Sequence, residues 1–271
     1  MEKLQAALEK ARNRRNATEP AVRPRPDARP AGRSDRTSHL WQELQETTPV
    51  ESVLMDHNVV TRQASEQATP FDILRTKILL QMQQNGWSSI AITSPMPKSG
   101  KTTIACNLAL GLGRQSGLRT ALFDMDLQDP SVADFIGHQP QHDIADMLSG
   151  QSSFKEQAVR VGENVALSMS NRSEPDPTRI LLADQTQATL KDIQAVYAPD
   201  IIIYDLPSIL VGDNTRAFLK NVDCALIVTR SNATRYSHFD TCEREVGEYT
   251  NVLGTVLNAF RTKDRQAYAN T

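Results

Sequence analysis

The run Ser94-Pro95-Met96-Pro97-Lys98-Ser99-Gly100-Lys101-Thr102-Thr103 holds residue types that grip a polyphosphate. A tight turn at Gly100 can aim successive backbone N–H groups at one point, and a helix opening there adds the positive end of its dipole. Lys101 supplies a mobile cation for the β- and γ-phosphate oxygens. The Thr102 hydroxyl is a ligand type that Mg²⁺ accepts. The full phosphate-loop pattern asks for glycine where Pro95 stands, so the setting must decide. Ser89–Thr93 before the loop is short, apolar and β-branched. Thr103–Gly113 after it carries Ile104, Leu108, Leu110 and Leu112 with alanines between, a helical pattern. Strand, loop and helix in that order is the arrangement a phosphate loop needs.

Carboxylates form the second constellation. Thr120–Phe123 reads as a buried strand, and Asp124 and Asp126 follow it. A spacing of two puts both side chains on one side of an extended chain. Ile201–Tyr204 ends the same way in Asp205. A buried strand end is a costly place for an unpaired charge. Asp124 or Asp126 alone is equally well a helix cap or turn residue. All three at the edge that carries a phosphate loop point to Mg²⁺ and an attacking hydroxyl or water.

The elements that must position these groups alternate along the chain. Strands are expected at Ser89–Thr93, Thr120–Phe123, Val165–Met169, Ile201–Tyr204, Ala225–Val228 and Val252–Leu257. Helices are expected at Pro70–Trp87, Thr102–Arg114, Asp143–Leu148, Pro177–Tyr197, Thr215–Lys220 and Ser237–Thr250. Several strands are apolar throughout, which predicts an α/β fold with a mostly parallel sheet covered by helices on both faces. Ligands of such sheets bind at the carboxyl ends of the strands.

The first forty residues differ. Leu4, Ala7, Leu8 and Ala11 make a short amphipathic helical stripe among basic residues. From Arg12 to Arg36 there are eight arginines, three acids and four prolines without apolar period, so residues 1–40 are expected to be a basic, largely disordered segment. Such a tail suits an anionic lipid, nucleic acid or an acidic partner, or is a solvated linker with a docking helix. Residues 41–69 read as a linker, 70–261 as the catalytic-type domain and 262–271 as a tail. The net charge of −2 argues neither for nor against nucleic acid, which is not the expected partner. The three cysteines, Cys106, Cys224 and Cys242, have no zinc-like spacing, and Cys106 and Cys224 lie in apolar runs, as expected in a reducing cytoplasm. The N-terminus lacks a signal-peptide apolar region, and no apolar run is long enough to span a bilayer.

Ser94–Thr103, Leu122–Ser131 and Ile203–Ser208, taken in that order, resemble the Walker A, Walker A′ and Walker B motifs of bacterial tyrosine kinases. These are P-loop ATPases of capsule and exopolysaccharide synthesis, related to the MinD/ParA-type ATPases, and the resemblance runs from about Pro70 to Arg261. It implies a P-loop NTPase fold, the cofactors ATP and Mg²⁺, and phosphoryl transfer. Carried over by motif, the loop Lys98, Ser99, Gly100, Lys101, Thr102 and Thr103 would bind phosphates. Asp124 would act on the attacking hydroxyl. Thr102, Asp126 and Asp205 would hold Mg²⁺, and Lys101, Asp124, Asp126 and Asp205 form the catalytic set. Asn258, after Val256-Leu257, would hydrogen-bond adenine, or is simply an exposed strand-end residue. The resemblance also implies a transmembrane polysaccharide co-polymerase or activator as partner, a homo-oligomer, and a cytoplasmic protein peripheral to the inner face of the plasma membrane.

Departures from the family pattern narrow the reading. The positioning ATPases carry a signature lysine where this chain has Met96, so the chain sides with the kinases, and a MinD/ParA-like protein acting on membrane or DNA is the alternative. The kinases usually have Gly-Glu where Lys98-Ser99 stands. Their oligomerisation motif falls here on Thr69, Asp72 and Arg75, with one charge lost and another reversed. Tyr268 is the only tyrosine of the tail, so a phosphotyrosine cluster is not expected to be the signal.

Overall fold

The structure is a computed structural model that describes residues 35–260. The expected amphipathic helix and most of the basic segment, with the tail holding Tyr268, lie outside the described residues. In chain order the elements are α1 (Asp35–Gln42), β1 (Gln45–Thr47), α2 (Glu51–Asp56), α3 (Thr69–Asn85), β2 (Ser89–Thr93), α4 (Lys101–Leu112) and β3 (Thr120–Asp124). Next come α5 (Val132–Ile136), α6 (Ile144–Leu148), α7 (Phe154–Gln157), β4 (Val159–Val161), β5 (Val165–Ser168), α8 (Pro177–Leu182) and α9 (Asp184–Tyr197). The remainder is β6 (Ile201–Asp205), α10 (Asn214–Leu219), β7 (Cys224–Arg230), α11 (Tyr236–Tyr249) and β8 (Asn251–Asn258).

The eight strands form one sheet in the order β1-β4-β5-β3-β6-β2-β7-β8. Every pairing is parallel except β4 with β5. The central strands β2, β3 and β6 are buried at every position. Their alternate side chains feed two cores. Ala91, Phe123, Ile202 and Tyr204 face one. Ile90, Ile92, Leu122 and Ile203 face the other, with Ile104, Leu108 and Leu112 of α4. This two-sided burial explains the unbroken apolar runs of the sequence.

Residues 41–69, expected as a linker, are folded against this sheet, and α1 already occupies residues 35–40 of the segment expected to be disordered. Trp41 is 1% exposed. Its indole N–H donates to the Glu163 carbonyl at 2.9 Å, and the Arg119 guanidinium lies over its ring. The next stretch is strapped to α4. The Asn107 amide accepts from Val60 N–H and donates to the Asn58 carbonyl, both at 2.9 Å, while the Thr61 hydroxyl donates to the Asn107 carbonyl. Buried polar groups must be paired, and here the pairing fixes the segment together with the buried Leu54 and Val59.

The helix expected over Pro177–Tyr197 is two helices. Ala183 is extended, with φ −66° and ψ 140°, and the buried Thr186 hydroxyl donates back to the Ile180 carbonyl across the break. Thr69, Asp72 and Arg75 all lie on α3. The Asp72 carboxylate there accepts from Arg75 at 2.8 Å and from Arg114 at 2.9 Å, so its charge is engaged within the chain.

Trp41→Ala should lower the unfolding free energy by about 3–5 kcal/mol, the usual cost of deleting a buried large aromatic. Urea denaturation would measure it. A loss below about 1 kcal/mol would mean that the segment before α3 is not integral to the fold.

Candidate functional site

Gly100 opens α4 with φ +91°, a left-handed conformation that costs glycine little. The loop is shaped by its own hydroxyls. Ser94 and Ser99 both donate to the Met96 carbonyl at 2.8 Å, and Ser94 also meets Ser208 at 2.9 Å. The outer strands hold it from the side. Asn258, at the end of β8, donates to the Ser99 carbonyl at 2.9 Å, and Arg230, at the end of β7, donates to the Lys98 carbonyl at 2.8 Å. With these two carbonyls engaged outside the loop, its N–H groups are left for the inner side. A Cβ added at Gly100 would lie 2.1 Å from the Asn258 amide nitrogen, so a larger residue would also push that side chain off the Ser99 carbonyl.

The loop borders a cleft of about 500 Å³ at the carboxyl ends of the strands. Of the expected residues, Lys98, Gly100, Lys101, Thr102, Thr103 and Asp126 line it. Ser99 is 2% exposed and its hydroxyl is spent on Met96, so only its backbone remains for a ligand. Asn258 lies behind the loop, tied to Ser99, and does not line the cleft. The Lys101 ammonium reaches Ser208 at 3.3 Å, and the Thr102 hydroxyl lies 3.1 Å from that of Ser131.

Asp124 and Asp205 lie beneath the cleft as direct neighbours across β3 and β6. Asp124 is completely buried and Asp205 is 1% exposed. One Asp124 oxygen, Oδ2, accepts from the backbone N–H groups of Ser131 and Val132, both at 2.8 Å. It therefore caps the first turn of α5, one of the alternatives open for this residue. Among the described residues its Oδ1 has no partner, and neither does Asp205 Oδ1. Asp126, half-buried, accepts from Asp129 N–H at 3.3 Å in a turn.

Burial pushes the Asp124 carboxyl well above the ordinary range, and the charge of Asp205 adds to it against the two N–H groups that favour the anion. Burial likewise raises Asp205 to about 6, opposed by Lys101 and by the Thr102 hydroxyl. Asp126 is also raised by burial, with Lys101 opposing. Two buried acids with orphaned oxygens, beside a lysine and a threonine hydroxyl, form an incomplete set that a dication would complete. No three His, Cys, Asp or Glu side chains form an all-protein metal cage among the described residues. The fitting metal is one that takes its other ligands from phosphate and water, as Mg²⁺ does.

Ser131 and Ser208 were not assigned from sequence, although both close the motif stretches quoted above. Ser131 meets Thr102, and Ser208 meets both Lys101 and Ser94. Their position immediately after the carboxylate turns was the available signal. Asn214 and Thr215, which complete the far wall of the cleft, gave none.

A glycine-turned phosphate loop at the head of α4, facing strand-end carboxylates on a parallel sheet, defines a P-loop nucleotide-binding domain. The chain belongs to the CobQ/CobB/MinD/ParA nucleotide-binding domain family, whose match runs over residues 90–270. It is 26% identical over 219 residues to the tyrosine-protein kinase YwqD of Bacillus subtilis, covering 79% of this chain and 91% of that protein. Other relatives named as tyrosine-protein kinases are longer, and the chain spans about a quarter of their length. The kinase domain of the Escherichia coli tyrosine kinase ETK shares the fold, with a TM-score of 0.69, 20% identity, and coverage of 82% of this chain and 85% of that one. Cobyrinic acid a,c-diamide synthase of Mycobacterium smegmatis, solved with an ATP analogue and magnesium, matches with a TM-score of 0.54 and 21% identity over 68% of this chain and 81% of its own. No helix among the described residues is long and apolar enough to cross a membrane.

A carboxyl whose folded pKa is raised holds its proton longer in the folded state. Stability is therefore lost as pH rises from the unfolded value near 4 through the folded value near 6. Asp205→Asn should stabilise the Mg²⁺-free protein by up to about 3 kcal/mol at pH 7.5 and by less than half of that at pH 4.5. Thermal or urea unfolding at the two pH values measures this. Equal effects at both would show that Asp205 is not held as a strained buried acid.

Proposed function

We propose that this chain binds Mg·ATP in the cleft and transfers its terminal phosphoryl group to a hydroxyl or to water, as a regulator of exopolysaccharide or capsule synthesis. The observation that carries this reading is the pair of orphaned, buried carboxyl oxygens on Asp124 and Asp205, next to Lys101 and Thr102. In this reading Lys101 and the loop N–H groups orient the β- and γ-phosphates. Thr102 and Asp205 would hold the metal, with Asp126 assisting from the cleft wall. Bound Mg²⁺ supplies charge neutralisation on the phosphate oxygens.

Asp124 has the acceptor role. Its Oδ2 is fixed by two N–H groups, which sets the plane of the carboxyl, and Oδ1 is the atom left to take a proton from an attacking hydroxyl. That function needs the anion. Cationic groups arriving in the cleft favour the anion by the same electrostatics that Lys101 already applies to Asp205. The kinase names of the relatives support phosphoryl transfer to a protein hydroxyl. A membrane-embedded partner and attachment to the inner face of the membrane belong to this proposal by the same resemblance. The positioning-ATPase alternative is weaker because Met96 occupies the place of its signature lysine.

Lys101→Ala should weaken Mg·ATP binding by about tenfold or more, the loss of one charge-assisted contact. Asp124→Asn should leave binding nearly intact while turnover falls by about a hundredfold or more. Titration calorimetry and phosphate release, with mass spectrometry for phosphotyrosine, separate these effects. Unchanged binding in Lys101→Ala would remove the assignment of the cleft. Parallel loss of binding and turnover in Asp124→Asn would remove the role given to that residue.

A further inference from the structure

A second cavity of about 380 Å³ lies on the opposite face of the sheet from α4, between α9 and the turn that joins α10 to β7. Its wall on α9 is Gln187, Leu190, Lys191 and Gln194, spaced three and four apart and so on one face of that helix. Lys220 and Asn221 close the other side, and Ile202 and Tyr204 of β6 form the floor. Nothing in the nucleotide site uses these residues.

Tyr204 is the informative member. It is 3% exposed, and its ring packs on Phe123 and Phe218 with centroids 5.4 Å and 4.8 Å away. Its hydroxyl has no hydrogen-bond partner among the described residues, although buried tyrosine hydroxyls usually find one. The hydroxyl is also absent from the sealed, unpartnered atoms of the interior, so it opens onto the cavity that Tyr204 lines. The Asn221 amide nitrogen is a second buried donor without a partner among the described residues. Lys191 and Lys220 are exposed at the rim and make no ion pair among the described residues. The nearby acid, Asp223, is hydrogen-bonded within the chain, and its charge bears on the Tyr204 phenol. Its Oδ2 accepts from Ser88 N–H, Ser89 N–H and the Ser89 hydroxyl, each at 2.9 Å.

The cavity is thus rich in donors, has two uncompensated cations, and has an apolar floor beside side-chain amides. Two ammonium groups suit a phosphate. Amides that both donate and accept suit hydroxyl groups, and Leu190, Ile202 and the tyrosine ring suit the C–H face of a small ring. We propose that this cavity is a second ligand site, separate from the nucleotide cleft, that takes a small phosphorylated polyol of the sugar-phosphate class. Tyr204 precedes Asp205 on β6, so its side chain lies on the other face of the strand that carries the carboxyl pair.

The test is a titration of the full chain with glucose 1-phosphate, followed by calorimetry or ligand-observed NMR. Glucose and inorganic phosphate serve as separate arms. Saturable binding of glucose 1-phosphate, weaker for both single components, is expected. Tyr204→Phe, which removes only the hydroxyl, should weaken it by about tenfold. The double change Lys191→Ala with Lys220→Ala should weaken it further, and Lys101→Ala should leave it unchanged. No saturable binding would overturn the proposal. So would binding indifferent to Tyr204→Phe and the lysine changes, or lost in Lys101→Ala, which would place the ligand in the nucleotide cleft. Inorganic phosphate binding as tightly as the ester would remove the polyol assignment.

Discussion

The site depends on two carboxylic acids placed side by side at the ends of adjacent buried strands. Asp124 and Asp205 are cross-strand neighbours, almost wholly out of water. Each would be charged in an unfolded chain at neutral pH, and each loses solvation on folding. Half of the hydrogen-bonding capacity of Asp124 is used to start α5, which limits the penalty. Oδ1 of each acid has no partner among the described residues. Folding therefore leaves a local electrostatic deficit that a bound cation with its phosphate ligands would relieve. This coupling of stability to ligand is what makes the pair informative about function.

The surrounding architecture keeps that pair in register with the phosphate loop. Parallel pairing brings β2, β3 and β6 to the same edge, so a loop after one strand and acids after two others converge without a long connection. The outer strands contribute through their last residues, with Arg230 and Asn258 drawing two loop carbonyls outward. The nucleotide cleft is consequently built from both halves of the sheet. On the opposite face, Tyr204 and the aromatic cluster around it fix the same strand that carries Asp205. Any ligand held there would act on a rigid element shared with the cleft.

The central strands, α4 and the positions of Lys101, Asp124 and Asp205 were readable because each depends on a local pattern: apolar runs, a helical period, or a carboxylate at a strand end. What escaped depends on distant partners. Gln45–Thr47 is polar and three residues long, and it is a strand only because β4 lies beside it. The strap at Asn58–Thr61 is fixed by Asn107 together with the buried Val59. The break at Ala183 interrupts a sequence with unbroken helical character, and a buried Thr186 hydroxyl stabilises it. Asn258 was expected at a base, whereas its contact with the loop at Gly100 could not be foreseen from spacing.

The most direct measurement is calorimetric titration with Mg·ATP near pH 6 in two buffers of different ionisation enthalpy, repeated with Asp205→Asn. If the orphaned carboxyls are the acceptors of the metal–nucleotide complex, binding should release protons from a pair in which burial raises Asp205 to about 6. The heats should then differ between the buffers, and the difference should shrink in the variant. Equal heats in both buffers, together with ATP affinity that does not change when Mg²⁺ is withheld, would contradict the account.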